Sequence, residues 1–214
     1  MSMNSRIEKM GNYTSSIMAE NLRNDLKSFI SGLGYNGDDI VSKMKTKDLI
    51  PLKKIVSSVN NILAVKAAEV FVEKLEEYGF IKEAQKNGML TKLSNTNPNA
   101  KGYDVQYDGK NEEKKILAEV KCNIPKDKKH FGENKDSHIK KDIKHLFDGK
   151  NGINTNDYYK FFVVMKCDDI ETCMEGLIES FYKEHEKKRD KIKFYKEGMV
   201  LDKECVYVVF VTID

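Results

Sequence analysis

No run of apolar residues in this sequence approaches the roughly 18 needed to cross a membrane, which argues against a membrane-spanning chain. The first residues, Met1 to Tyr13, are polar and lack the apolar middle of a secretory signal. The four cysteines, Cys122, Cys167, Cys173 and Cys205, include no tight pair suited to zinc. They lie in or beside apolar segments, which reads as buried, reduced thiols in a cytoplasmic protein. Charge of one sign is also scarce. With 37 Lys and Arg against 34 Asp and Glu, the formal net charge is +3. That is too small to imply a nucleic-acid partner by itself, so any such argument rests on where the lysines cluster. There is no internal repeat, and no linker rich in Gly, Ser or Pro divides the chain.

What the chain does have is 214 residues, 40% hydrophobic and 33% charged, enough for one sizeable core or a core with a small accessory domain. Residues 1 to 59 read as a helical N-terminal region carrying no recognisable chemistry. A helix is expected over 15–31, with Met18, Leu22, Leu26, Phe29 and Leu33 on one face and Gly32 and Gly34 as the stop. Short helical pieces broken around Pro51 are expected over 38–59. Residues 60 to 214 read as a second domain. Its first helix, 60–79, carries a stripe of Ala64, Ala68, Phe71, Leu75 and Tyr78. Ile62, Val65 and Val72 widen that stripe so that the first turns should be buried. Glu69 falls on the widened face, either as a solvated rim charge or as a partner for a metal or a lysine. A short strand is expected near Met89–Leu93 and a loop over 95–100. Further on come a helix over 137–147 with Ile139, Ile143, Leu146 and Phe147 inward, and an apolar strand over 158–165. A helix opened by an Asp168–Glu171 capping box follows, then a strand over 205–213. The charged run Glu184–Lys193 reads as a solvated helix end. The order predicts an α/β protein with a central mixed β-sheet flanked by helices.

The chemistry concentrates in KGYDVQYDGKNEEKKILAEVKCNIP, residues 101–125. In a strand over 117–122, Leu117, Glu119 and Lys121 share one face and Ala118, Val120 and Cys122 the other, with Glu119 and Lys121 roughly 6 to 7 Å apart. Asp104 and Gln106 share a face of the preceding segment. If the two segments pair as a hairpin, Asp104 can lie beside Glu119. The tip is longer than a two-residue turn, so the sequence leaves the register open. Two converging carboxylates repel unless a cation lies between them. They suit a hard divalent ion such as magnesium, which leaves positions for water and a phosphate oxygen. A neighbouring lysine can orient the water or stabilise developing charge.

Asp104, fourteen residues, then Glu119-Val120-Lys121 resembles the signature of the PD-(D/E)xK nuclease superfamily, the fold of many type II restriction endonucleases, resolvases and repair nucleases. The resemblance covers residues 60 to 213 and leaves 1–59 outside. It implies a restriction endonuclease-like core, a helix, a three-stranded meander, a helix and a further strand. It makes Asp104 and Glu119 metal ligands, adds the Val120 carbonyl as a further one, and makes Lys121 the catalytic lysine. Glu69 matches the acidic residue that some members place on the helix before the sheet. The implied activity is Mg²⁺-dependent DNA endonuclease cleavage, with Mn²⁺ as substitute, leaving 5′-phosphate and 3′-hydroxyl. Tyr103 departs from the pattern, standing where the family name has proline, and the meander's first strand would have to lie between residues 84 and 95.

The expected DNA-binding face follows the hairpin. Lys140, Lys141 and Lys144, with His138 and His145, lie off the apolar face of the helix over 137–147, and Lys126, Lys128 and Lys129 precede it. Such groups could hold phosphates without reading bases. Asp136, Asp142 and Asp148 dilute the charge, so an ordinary solvated face is the competing reading. Two rivals to the nuclease remain: a non-catalytic nucleic-acid- or protein-binding module on the same fold, and an unrelated α/β protein whose Glu119 and Lys121 are a surface pair. Homodimerisation would match a two-fold enzyme to a two-fold DNA site, though no sequence feature shows it.

Overall fold

The computed structural model describes residues 20–95, 102–109, 113–128 and 130–213. The polar leader, the larger part of the 95–100 loop and Lys129 lie outside them. The chain divides into two compact units, Met1–Val56 and Ser57–Asp214. In the first, a helix α1 runs over 20–32. It ends at Gly34, where a positive φ of 84° lets Tyr35 N–H reach the Ile30 carbonyl at 3.2 Å and Gly34 N–H the Ser31 carbonyl at 3.0 Å, a Schellman closure. Helix α2, Gly37–Ser42, follows, capped by the Asn36 side chain on the Asp39 N–H.

Helix α3 spans Leu49–Glu77 and contains the boundary between the units. Pro51 does not break it, because it falls in the first turn, where its missing N–H is not needed. The expectation of buried first turns over 60–79 is not met. Ile62 is 61% exposed, and the buried residues of α3 are Ala67, Ala68, Phe71, Val72 and Leu75, all in its second half. By length and composition α3 also contains an 18-residue window apolar enough to cross a membrane, with mean hydropathy 1.4, although polar residues interrupt it so that it is not a continuous apolar run.

The sequence between 84 and 95 is helix, not strand. Helix α4 runs Glu83–Ser94 and buries Met89 and Gln85. The buried Gln85 amide donates to the Lys114 carbonyl at 2.7 Å and accepts from the Lys114 N–H at 3.4 Å. The sheet follows: β1, Val105–Tyr107, and β2, Ile116–Lys121; helix α5, Glu133–Asp148; β3, Tyr159–Met165; helix α6, Ile170–Glu184; β4, Ile192–Phe194, and β5, Val206–Val211. Spatial order is β1-β2-β3-β5-β4. The β1–β2 pair is antiparallel and the others are parallel. This is a mixed α/β sheet flanked by helices.

Strand alternation sorts the core into two faces. Ile116, Ala118, Val120, Phe161, Val163 and Tyr207 pack with Phe71, Val72 and Leu75 of α3 and Met89 of α4. Leu117, Phe162, Val164 and Val208 pack with Ile139, Ile143 and Leu146 of α5 and Leu177 and Phe181 of α6. Two local expectations are corrected. No Asp168–Glu171 box opens α6: its N-cap is Asp169, left-handed at φ 58° and without a side-chain cap bond, while Glu171 pairs with Lys166 at 3.4 Å. The charged run at 184–193 is not simply a solvated helix end, because a 3-10 turn, Glu186–Lys188, leads from it into β4.

Candidate active site

The hairpin register is fixed by three pairs, Val105 with Ala118, Gln106 with Leu117 and Tyr107 with Ile116. One further step sets Asp104 opposite Glu119. Asp104 is held there by its own side chain, since its Oδ2 accepts the Val120 N–H at 2.7 Å. Alternation along β2 sends Glu119 and Lys121 toward α5, the face of Leu117. From α5 comes Asp142, whose Oδ2 lies 2.7 Å from Lys121 Nζ. From the turn after α5 comes Lys150, whose Nζ donates to Glu119 Oε1. The same ammonium sits 4.5 Å from the ring centre of Tyr103, and Tyr103 donates its hydroxyl to the His145 carbonyl at 2.8 Å. Three carboxylates, Asp104, Glu119 and Asp142, thus meet two ammonium groups, Lys121 and Lys150.

Burial sets the electrostatics. Glu119 is 3% exposed, and its carboxyl rises from 4.5 to about 7. Burial is the largest cause, and the charges of Asp104 and Asp142 add to it. The bond and charge of Lys150 pull the other way without offsetting them. For Lys121, burial pulls its pKa down, but Asp142, Asp104 and Glu119 together outweigh it, so the ammonium is held charged. The Cys122 thiol is pushed up to about 11 by burial and by Asp104, which keeps it protonated. His145 is lowered by burial and by Lys150, Lys141 and Lys144 against the pull of Asp142. Its Nδ1, 3.8 Å from Asp142 Oδ1, is buried with no hydrogen-bond partner among the described residues.

Beside Lys121 and Asp142 lies a cavity of about 280 Å³ lined also by Asn123, Asn134, Lys135, His138 and Ile139. His138 therefore faces the space next to Lys121. The other expected phosphate-binding groups are placed differently. Lys141 and Lys144 line a second cavity on α5 with Glu133, Asp136 and Glu184. Lys140 is tied to Glu184 and, at 2.8 Å, to Ser180, so it is not an open cation. Lys129 lies outside the described residues. Glu69 is not brought into the site. It pairs with Lys66 at 2.7 Å on α3, whose buried residues pack against the sheet face opposite to Glu119. The side chain of Gln106 bonds Asp108 at 3.2 Å.

Sequence reasoning missed two members of the cluster. Asp142 had a signal. It lies three residues after Ile139 and next to Ile143, on the shoulder of the apolar stripe of α5, where a carboxylate needs a partner. Lys150 had none, being a single loop lysine after a glycine stop. As a divalent-cation site, the set fits the mode in which one or two carboxylates bind Mg²⁺ and water and phosphate fill the rest. It is not an all-protein cage, since no group of three or more His, Cys, Asp and Glu among the described residues could hold a metal ion. Comparison of the chain with family models, with curated proteins and with solved structures finds no match.

Proposed function

We propose that the chain is a Mg²⁺-dependent DNA endonuclease with a restriction endonuclease-like core, hydrolysing phosphodiester bonds in the manner of type II restriction enzymes. The observation that carries this reading is the hairpin register, which sets Asp104 opposite Glu119 with Lys121 on the same face as Glu119. In this reading Asp104 and Glu119 hold the metal, with the Val120 carbonyl beside them. When bound, magnesium would polarise the phosphate and lower the pKa of a bound water. Lys121 contributes a charged Nζ at the same point, placed to orient that water and to face the negative charge that develops on phosphate oxygens. Asp142 positions Lys121 through the 2.7 Å ion pair. The cavity beside Lys121, with Lys135, His138, Asn123 and Asn134, offers donors to a backbone phosphate, and Lys141 and Lys144 extend that charge along α5.

The test is plasmid cleavage in Mg²⁺ by the full chain and by Glu119→Gln and Lys121→Ala. Each variant should lose about 10²–10³-fold in rate or more while keeping the wild-type circular dichroism spectrum. Undiminished cleavage by both would overturn the assignment. A second reading, a non-catalytic binding module on the same fold, is favoured by one feature. Both charged residues of the Glu-x-Lys pair already have internal partners, Glu119 with Lys150 and Lys121 with Asp142. DNA binding that survives both substitutions, with no cleavage by any form, would decide for the module.

A further inference from the structure

We propose that Lys150 is a built-in counter-ion of the carboxylate pair: its ammonium holds Glu119 where a divalent cation would bind, and the cation enters only as that ammonium leaves. The inference rests on the metal-dependent reading of Asp104 and Glu119 and goes beyond it by giving a role to a residue outside the Asp104–Glu119–Lys121 pattern. A buried carboxylate next to another carboxylate is costly without a positive partner. Lys150 supplies that partner through its bond to Glu119.

Its placement is constructed from both ends. At the head, the ammonium lies 4.5 Å from the Tyr103 ring centre, a favourable seat for a cation. Tyr103, the residue before Asp104, is fixed by its hydroxyl on the His145 carbonyl. At the backbone, Lys150 sits in a turn with positive φ at Gly149 (84°), Asn151 (53°) and Gly152 (77°). Gly149 N–H bonds the His145 carbonyl at 2.9 Å, and Ile153 N–H bonds the Lys150 carbonyl at 3.1 Å. A β-carbon at Gly149 would run into the Ile153 carbonyl oxygen, so the turn needs glycine there.

The lysine's position is thus imposed by the fold. A dication sharing Glu119 would stand within a few ångström of a like charge, and in a partly buried site that repulsion is strong. The ammonium therefore gives way. Its side chain is 17% exposed, and a flexible four-carbon stem allows the head to swing outward. Lys150 then works against metal affinity and for the stability of the metal-free fold.

The experiment compares the wild-type chain with Lys150→Met, Lys150→Gln and Lys150→Arg, all stripped of metal. Mn²⁺ is titrated by calorimetry and by the paramagnetic resonance signal of the free ion, and melting temperatures are recorded without metal. Lys150→Met and Lys150→Gln should bind Mn²⁺ about ten-fold more tightly than wild type and melt lower without it. Lys150→Arg, which keeps the charge, should match wild type. Lys150→Gln retains a donor for Glu119 and serves should Lys150→Met fail to fold. Binding detected only in the two uncharged variants also supports the inference. Mn²⁺ binding by wild type that is equal or tighter than in the uncharged variants overturns it and leaves the metal site standing. Absence of Mn²⁺ binding in all four overturns the metal reading together with the inference.

Discussion

Glu119 carries a measurable consequence whatever the reaction. Its folded-state pKa is raised to about 7 from 4.5, by burial first and by Asp104 and Asp142 next, so the folded chain holds that proton more tightly than the unfolded chain. The contribution to stability is fully present below about pH 4.5 and is lost as the pH rises through about 7. A shift of this size corresponds to about 3 kcal/mol. In metal-free buffer, urea unfolding at pH 5 and pH 8 should show wild type losing stability over this interval, with a clearly smaller loss in Glu119→Gln. An equal loss in both would show that Glu119 is not the titrating group. Glu119 and Lys121 were legible as a pair because strand alternation alone puts them on one face. Whether Asp104 joined them was not, because register depends on the turn and on partners far along the chain. The place of Glu69 was left open for a related reason, and of the readings offered it takes the pairing with a lysine, Lys66, and not a place in the site. Helical periodicity placed it on the widened apolar face of α3 but could not say which side of the sheet that helix would cover.

At the scale of elements, the turn after α5 is the most demanding piece of backbone near the site. Gly149→Ala introduces a β-carbon at positive φ against the Ile153 carbonyl and should cost about 1–3 kcal/mol. Gly152 also has a positive φ, but a β-carbon there meets nothing within 4 Å, so Gly152→Ala should cost less. Thermal midpoints of the two variants check this, and equal losses would mean that the close approach at Gly149 is not limiting. Elements with a strong period were readable: α5, α6, β3 and β5 occupy the stretches their apolar residues mark out. The segment at 89–93 was read as a strand although it is the end of α4. A run that short is compatible with either state, and what decides here is packing of Met89 against the sheet and the bond from Gln85 to Lys114. Strand β4 went unseen because its three residues, Ile192–Phe194, sit in a run of charges and owe their state to pairing with β5.

For the whole molecule, among the described residues, burial is concentrated in the sheet and in the helices packed on it, α5, α6 and the second half of α3. Ala67, Ala68, Phe71, Val72 and Leu75 are 0–2% exposed, whereas Ile50, Ile55, Val56, Val59 and Ile62 are each at least 46% exposed. One continuous helix should therefore show two levels of protection. In hydrogen exchange, amides over 67–75 should exchange together with the slow amides of β2, β3 and β5, and those over 50–62 should exchange faster. Uniform protection along α3 would contradict this. The succession β1, β2, α5, β3, α6 and then β5 could be read from the chain, but not α4 or β4, nor the position of β5 between β3 and β4. That order is set by which strand completes the core, a choice no local pattern records.

The hairpin that carries Asp104 and Glu119 is gripped at both ends by side chains that act as pieces of backbone. Asp104 takes the Val120 N–H at one end, and the Gln85 amide meets the backbone N–H and carbonyl of Lys114 at the other. A slide of β1 by one residue along β2, which is itself held by β3, would carry Asp104 away from Glu119 and break its bond to Val120. The first clasp proofreads the pairing of the two strands and the second seats the β2 arm on α4, so the hairpin settles into the one alignment in which its acids meet.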